Sequence, residues 1–233
     1  MLIDTHCHVN FSAYDEDRDD VIRRTLANDI FMINVGTQKD TSAKAVAIAE
    51  AYERGVYAAL GLHPIHVMDR PVDEEETKFH ARAEEIDPDL YRKLAKSSKV
   101  VAIGETGLDY FHIAEGEDPE AVKERQKKEF LAQVDLADEL DVPLIIHCRD
   151  AHEDLLPLVK KSVDEGKMKR RGVFHFFSSS WDMLLDAQVE YQRMGFYFGF
   201  TGAITLPPKK QSPREQEILL EAVKRAPDDR ILT

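Results

Sequence analysis

A chain of 233 residues, 43% hydrophobic and 32% charged, is long enough for one large α/β core over 1–233 and needs no second domain. Its formal charge of −13 argues against broad, sequence-independent adhesion to phosphate backbones, which relies on clustered Lys and Arg. It has no apolar stretch long enough to span a bilayer, and Met1-Leu2-Ile3-Asp4-Thr5-His6 lacks the layout of a signal peptide, so the expected location is the cytoplasm.

Short apolar, β-branched runs bounded by Gly, Pro or charge read as buried strands, and stretches of helical periodicity separate most of them. The first run, 2–6, leads into His6-Cys7-His8; two residues apart on a strand, the imidazoles share a face and can reach one ion. A helix over 17–28, a strand over 31–36 and a helix over 41–54 follow. The third strand, 56–63, is closed by Gly61-Leu62-His63. Residues 67–85, with Asp73-Glu74-Glu75-Glu76, read as solvated loop.

A helix over 88–97 leads to a strand over 100–105 ending in Gly104-Glu105-Thr106, where small neighbours allow close backbone approach and a carboxylate can bridge two ions. A second acidic loop, 113–118, precedes a long helix over 119–140. The strand over 142–147 ends in His147-Cys148-Arg149. There the histidine can take a metal, while the planar guanidinium meets phosphate or carboxylate oxygens; a rim ion pair is the alternative for Arg149. A helix over 155–165 and the basic turn Lys169-Arg170-Arg171 precede a strand over 172–177 carrying His175. A helix over 181–194, introduced by Ser180 and Trp181, a strand over 196–200, a helix over 213–224 and a last apolar run over 230–233 complete the order.

Eight strands that are continuously apolar and alternate with helices imply a parallel sheet buried on both faces. They close naturally into a (β/α)8 TIM-type barrel whose active site lies at the carboxyl ends of the strands. An open doubly wound sheet is the rival, but no Gly-rich phosphate turn is present and the polar side chains come from at least five strands. Cys7 and Cys148 each lie one residue beyond a strand-end histidine, so both read as reduced wall residues. His66, His80, His112 and His152 read as surface or capping residues. Phe111, Phe176, Phe177 and Phe200 read as packing residues, with base stacking as the alternative.

Five histidines and a glutamate at strand ends point to divalent metal: imidazole suits Zn, Mn, Fe or Ni, and a bridging carboxylate also accommodates Mg. Two ions about 3.5–4 Å apart would clamp the oxygens of a phosphoryl displacement and activate a water, so hydrolysis needs no protein nucleophile. A metal cluster would also reverse the sign of the charge locally.

In order along nearly the whole chain stand Ile3-Asp4-Thr5-His6-Cys7-His8, Gly61-Leu62-His63-Pro64, Ile103-Gly104-Glu105-Thr106-Gly107-Leu108-Asp109-Tyr110, Ile145-Ile146-His147-Cys148-Arg149-Asp150-Ala151, Gly172-Val173-Phe174-His175-Phe176-Phe177-Ser178 and Gly195-Phe196-Tyr197-Phe198. With these segments the chain resembles the TatD family of metal-dependent deoxyribonucleases, within the amidohydrolase-like barrel superfamily. The resemblance implies that His6, His8 and Glu105 hold one divalent ion and that Glu105, the catalytic carboxylate, reaches a second held by His147 and His175. The two ions would be Mg, Mn or Zn. It further implies that His63 and Arg149 contact substrate phosphate; Asp109 falls at a matching position too, where its negative charge suits orienting a loop or neighbouring group as well as binding substrate. The implied reaction is hydrolysis of DNA from the 3′ end of single strands, by a monomer without membrane partners.

Two departures qualify the match. The fifth-ligand segment has Ser179 where the family has Gly. The family's eighth strand continues into Glu-Thr-Asp, a small residue and Pro, whereas here the run reaches Ile231-Leu232-Thr233. The expectation is therefore a barrel lacking the end of strand eight, its aspartate and the final helix. Two other functions fit the same residues: a metal-dependent carboxylic-ester or amide hydrolase, such as a D-aminoacyl-tRNA deacylase, and a metal-binding barrel without turnover.

Overall fold

A computed structural model of the chain describes residues 1–73, 78–178, 184–207 and 213–232. Its elements run β1 (Leu2–Cys7), α1 (Arg18–Ala27), β2 (Ile30–Val35), α2 (Lys39–Glu50), β3 (Val56–Leu60), β4 (Asp69–Asp73), β5 (Lys78–Arg82), α3 (Pro88–Leu94), β6 (Val100–Asp109), α4 (Pro119–Leu140), β7 (Leu144–Arg149), α5 (His152–Asp164), β8 (Gly172–Phe174), α6 (Leu184–Met194), β9 (Tyr197–Gly199), α7 (Pro213–Arg225) and β10 (Ile231–Leu232). β1, β2, β3, β6, β7, β8, β9 and β10 pair in that order, every pair parallel. They form a nearly closed TIM-type barrel with the helices outside; among the described residues no ladder joins β1 to β10. None of the described helices is long and apolar enough to cross a membrane.

The unbroken apolarity of β3, β6, β7 and β8 has its expected cause, cover on both faces, whereas Leu2 and Ile3 at the start of β1 are exposed. Val35, Ala59, Ala102, Ile145 and Val173, with Ile33 and Leu232 packed against them, form the inner cluster. The alternate residues Met32, Ala58, Leu60, Ile103, Leu144, Ile146 and Phe174 join the larger cluster beneath the helices. Burying a side chain of the size of Ile145 contributes roughly 1.5–3 kcal/mol, so the inner layer is a firm apolar floor below the barrel mouth. Helix starts follow local chemistry. Asp87 and Asp118 cap α3 and α4 through their carboxylates, each followed by Pro at the first helical position, where its missing N–H costs nothing.

The structure corrects three readings. Residues 67–85 are not loop throughout, since β4 and β5 form an antiparallel hairpin with Asp69 opposite Arg82 and Asp73 opposite Lys78. Its charged sequence, Asp69-Arg70 and Asp73-Glu74-Glu75-Glu76 above all, hid the strands. Residues 74–76 of the acidic run lie outside the described residues, as do Ser179, Ser180, Trp181 and Thr233. β6 continues four residues past Glu105 to Asp109, and β3 stops at Leu60, before His63. The cysteines are free wall residues as expected, and burial raises the Cys7 thiol to about 12 and the Cys148 thiol well above its ordinary value.

Candidate functional site

Strand side chains alternate between faces, so Glu105 can share the inner face with Ala102, three residues before it, only if the alternation is reset. Register shifts do this. On β6, Ile103 lies opposite Leu144 and Thr106 opposite Ile146, three residues spanning two on β7. The same offset occurs on β1, where Asp4 pairs with Met32 and Cys7 with Asn34. An extra residue in one strand re-aims everything after it. Beyond the β6 shift, Gly107 lies opposite His147 and Asp109 opposite Arg149, so Glu105, Gly107 and Asp109 share the inner face with His147. Close approach needs glycine at two of these positions. A Cβ on Gly61 would fall 2.6 Å from the Glu105 carbonyl oxygen, and one on Gly107 would collide with that of His147.

Glu105, 4% exposed, is the centre of the cluster. Its Oε2 lies 3.2 Å from His6 Nε2 and 3.8 Å from His8 Nε2, and the two Nε2 atoms are 3.0 Å apart. Ligands about 2.0–2.1 Å from a tetrahedral zinc stand about 3.3 Å from one another, which these separations bracket. His8 Nδ1 lies 3.0 Å from the Val35 carbonyl oxygen. A carbonyl only accepts, so the proton sits on Nδ1 and the lone pair of Nε2 faces the cluster. Burial, then His6, lower the His8 pKa to about 4 against the pull of Glu105, which keeps that lone pair available. His6 Nδ1 is buried without a partner among the described residues. The donor set therefore fits a divalent cation.

A second group comprises His63, Glu105 and His147. Glu105 Oε1 lies 3.0 Å from His147 Nδ1 and 3.6 Å from His63 Nε2. The opposite nitrogen of His147, Nε2, lies 2.9 Å from Asp109 Oδ2, and His112 Nδ1 lies 2.8 Å from the same oxygen. Burial would lower the His147 pKa, but hydrogen bonds to Asp109 and Glu105 outweigh it and raise it to about 10. Burial likewise would raise both carboxyls, yet His6, His63 and His147 hold Glu105 well below its usual range, and hydrogen bonds from His112 and His147 do the same for Asp109.

His63 differs chemically. Burial, then His147, keep its ring neutral, and Nδ1 accepts the Ile65 N–H at 3.2 Å. The ring proton is therefore on Nε2, a donor that suits an anionic oxygen better than a cation. His175 joins neither group: its ring lies flat on His6, centroids 3.4 Å apart, with its pKa lowered to about 3 by burial and by His6.

Arg149 follows His147 by two residues on the same face of β7 and is exposed at the mouth. Among the described residues its guanidinium makes no ion pair; it stacks on Phe111, Cζ 3.7 Å from the ring centroid. Among the described residues no carboxylate forms the rim salt bridge considered for Arg149.

Residues 3–233 match the family model described as TatD related DNase. The chain is a TatD-family protein. It is 35% identical over 233 residues to the uncharacterized metal-dependent hydrolase YabD of Bacillus subtilis, covering 100% of this chain and 78% of that one. It is 31% identical over 202 residues to the 3′-5′ ssDNA/RNA exonuclease TatD of Cronobacter sakazakii, covering 86% and 66%. The crystal structure of YJJV, a TatD homolog from Escherichia coli K12, matches with a TM-score of 0.76 at 29% identity, over 99% of this chain and 77% of that one. Family membership places the chain among metal-dependent hydrolases.

In this TatD-family protein, several supporting residues escaped sequence reasoning. Gln133 of α4 pairs with both backbone groups of Leu62, accepting from its N–H at 2.8 Å and donating to its carbonyl at 3.0 Å. Gln126, two turns earlier, does the same for Asp109 at 2.8 and 2.9 Å. Two side-chain amides thus stand in for a neighbouring strand where the ladders end. Their seven-residue spacing on one helix face was the available signal. His66 and His152, read as surface or capping residues, are buried; the ring of His152 packs among Phe174, Phe177 and Tyr191. His112 is partly exposed, yet its ring and its backbone N–H both bind Asp109. His80 lies in β5.

Proposed function

We propose that this protein is a divalent-cation-dependent exonuclease acting from the 3′ end of single-stranded DNA. The observation that carries the reading is Arg149: a cation at the mouth, two residues from His147, with no carboxylate partner among the described residues of a chain with charge −13. Such a group is matched by an anion brought in from outside. The names of relatives such as the Cronobacter sakazakii exonuclease support the same class.

In this reading His6, His8 and Glu105 would hold one cation, and Glu105 with His147 would hold a second. His175, flat against His6, is the remaining imidazole of the cluster and the sequence-based candidate for the second ion. When bound, the cations act as Lewis acids and lower the pKa of a water. The protein's own groups do the rest. His63 Nε2–H and the Arg149 guanidinium take the non-bridging oxygens of the phosphodiester. Asp109, braced by His112, fixes the tautomer of His147. Gly61 lets the chain just past β3 run close to the Glu105 backbone, and Gly107 does the same for β6 against the backbone of His147.

The test is shortening of 5′-labelled single-stranded DNA in Mg or Mn, compared with chelator. Glu105→Ala should abolish it. Arg149→Ala should lower kcat/KM by about 10- to 100-fold, equivalent to the ~1.5–3 kcal/mol of a hydrogen bond to a charged group. Release of an amino acid from an aminoacyl ester, with DNA left intact under the same metal, would replace this reading by the deacylase one.

A further inference from the structure

Two of the phenylalanines considered for base stacking are core: Phe177 and Phe200 are 2% and 3% exposed. Phe111, just beyond the end of β6, is 56% exposed although the Arg149 guanidinium already lies over its ring. The His112 ring meets it edge-on, centroids 5.0 Å apart and planes at 86°, and His112 is itself tied to Asp109 at 2.8 Å. The ring is therefore braced in one orientation by polar groups while contributing little burial. β6 and β7 set Asp109 opposite Arg149, so the braced pair stands one step outward from His147, beside the cluster.

We infer that Phe111, stacked with Arg149, is a platform for the terminal nucleobase of a single-stranded nucleic acid. This deepens the exonuclease reading and rests on it. The division of labour follows from geometry: the guanidinium edge carries N–H groups for phosphate while ring and guanidinium planes present a π surface. A nucleobase satisfies both, having a π-face at a fixed reach from an anionic phosphate, whereas an aliphatic ester or peptide side chain offers one or neither. A ring held in place before the base arrives loses little rotamer freedom on binding. Phe176 is also exposed, but no cation braces it among the described residues.

The experiment compares two single-stranded oligonucleotides identical except that one carries an abasic 3′-terminal nucleotide. With wild-type protein the abasic end should be removed about 5- to 100-fold less efficiently, the range that loss of one base–aromatic stack produces, with the change mainly in KM. In Phe111→Ala the base should make little difference, and Phe111→Trp should restore the preference. Equal efficiency of the wild type on both ends would overturn the platform, as would a Phe111→Ala loss identical on both. The wild-type comparison stands even if Phe111→Ala fails to fold. Should the wild type shorten neither, the exonuclease reading fails; the platform is then read from equilibrium binding of the same two oligonucleotides, equal affinity overturning it.

Discussion

Asp109 Oδ2 lies 2.9 Å from His147 Nε2, so the imidazole turns its other nitrogen to Glu105 Oε1, 3.0 Å away. A carboxylate behind a ligating imidazole fixes its tautomer and raises its basicity. In Asp109→Asn, Mn affinity measured by calorimetric titration should fall about 10- to 100-fold, the usual cost of losing such a partner. Unchanged affinity would show that His147 is not a ligand or that Asp109 does not orient it.

Gln133 should matter for stability well beyond its size. In Gln133→Leu both backbone groups of Leu62 lose their partner inside the protein, at about 1–3 kcal/mol for each buried group left unsatisfied. Urea denaturation should report a loss of ~2–6 kcal/mol. A loss below ~1 kcal/mol would mean that water or a shifted backbone takes over those bonds.

Two glycine-to-alanine changes separate close approach from mere conformational preference. Gly107→Ala drives a Cβ into the His147 carbonyl, whereas a Cβ on Gly202 meets nothing within 4 Å. The first should destabilise by about 1–3 kcal/mol or more, as overpacking does, and should weaken metal binding through His147. The second should be close to neutral in the same thermal and titration assays.

His152 gives a pH dependence separate from the metal cluster. Burial lowers its folded pKa from 6.5 to about 3, so its contribution is complete above pH 6.5. It is lost as pH falls towards 3, because only the unfolded chain takes up the proton. Each unit in that window costs up to about 1.4 kcal/mol. Between pH 7.5 and 5.5 wild type should therefore lose ~1.4 kcal/mol relative to His152→Gln in urea titrations; parallel curves would show that the folded protein accommodates the charged ring.

Much of the architecture was legible because parallel strands buried on both faces leave unbroken apolar runs, and Asp-Pro pairs mark where α3 and α4 begin. The β4–β5 hairpin was not, since the charges of Asp69, Arg70, Asp73, Lys78 and Arg82 outweigh the brief alternation of Lys78-Phe79-His80-Ala81-Arg82. Histidine partners were harder still. His66 and His152 sit in segments that read as surface, and only packing with distant elements buries them.

His6, His8, Glu105, His147 and His175 could be named from sequence because each ends an apolar run, and such ends meet at one mouth in a barrel. Their grouping came from tertiary structure. The shifts on β1 and β6 reset the side-chain alternation, placing Glu105 between His6 and His147 and setting His175 against His6. Sequence likewise marked Arg149 as a phosphate ligand or a rim ion pair. Only the fold brings the Phe111 ring to its guanidinium, because Phe111 follows the end of β6, which pairs with β7 and sets Asp109 opposite Arg149.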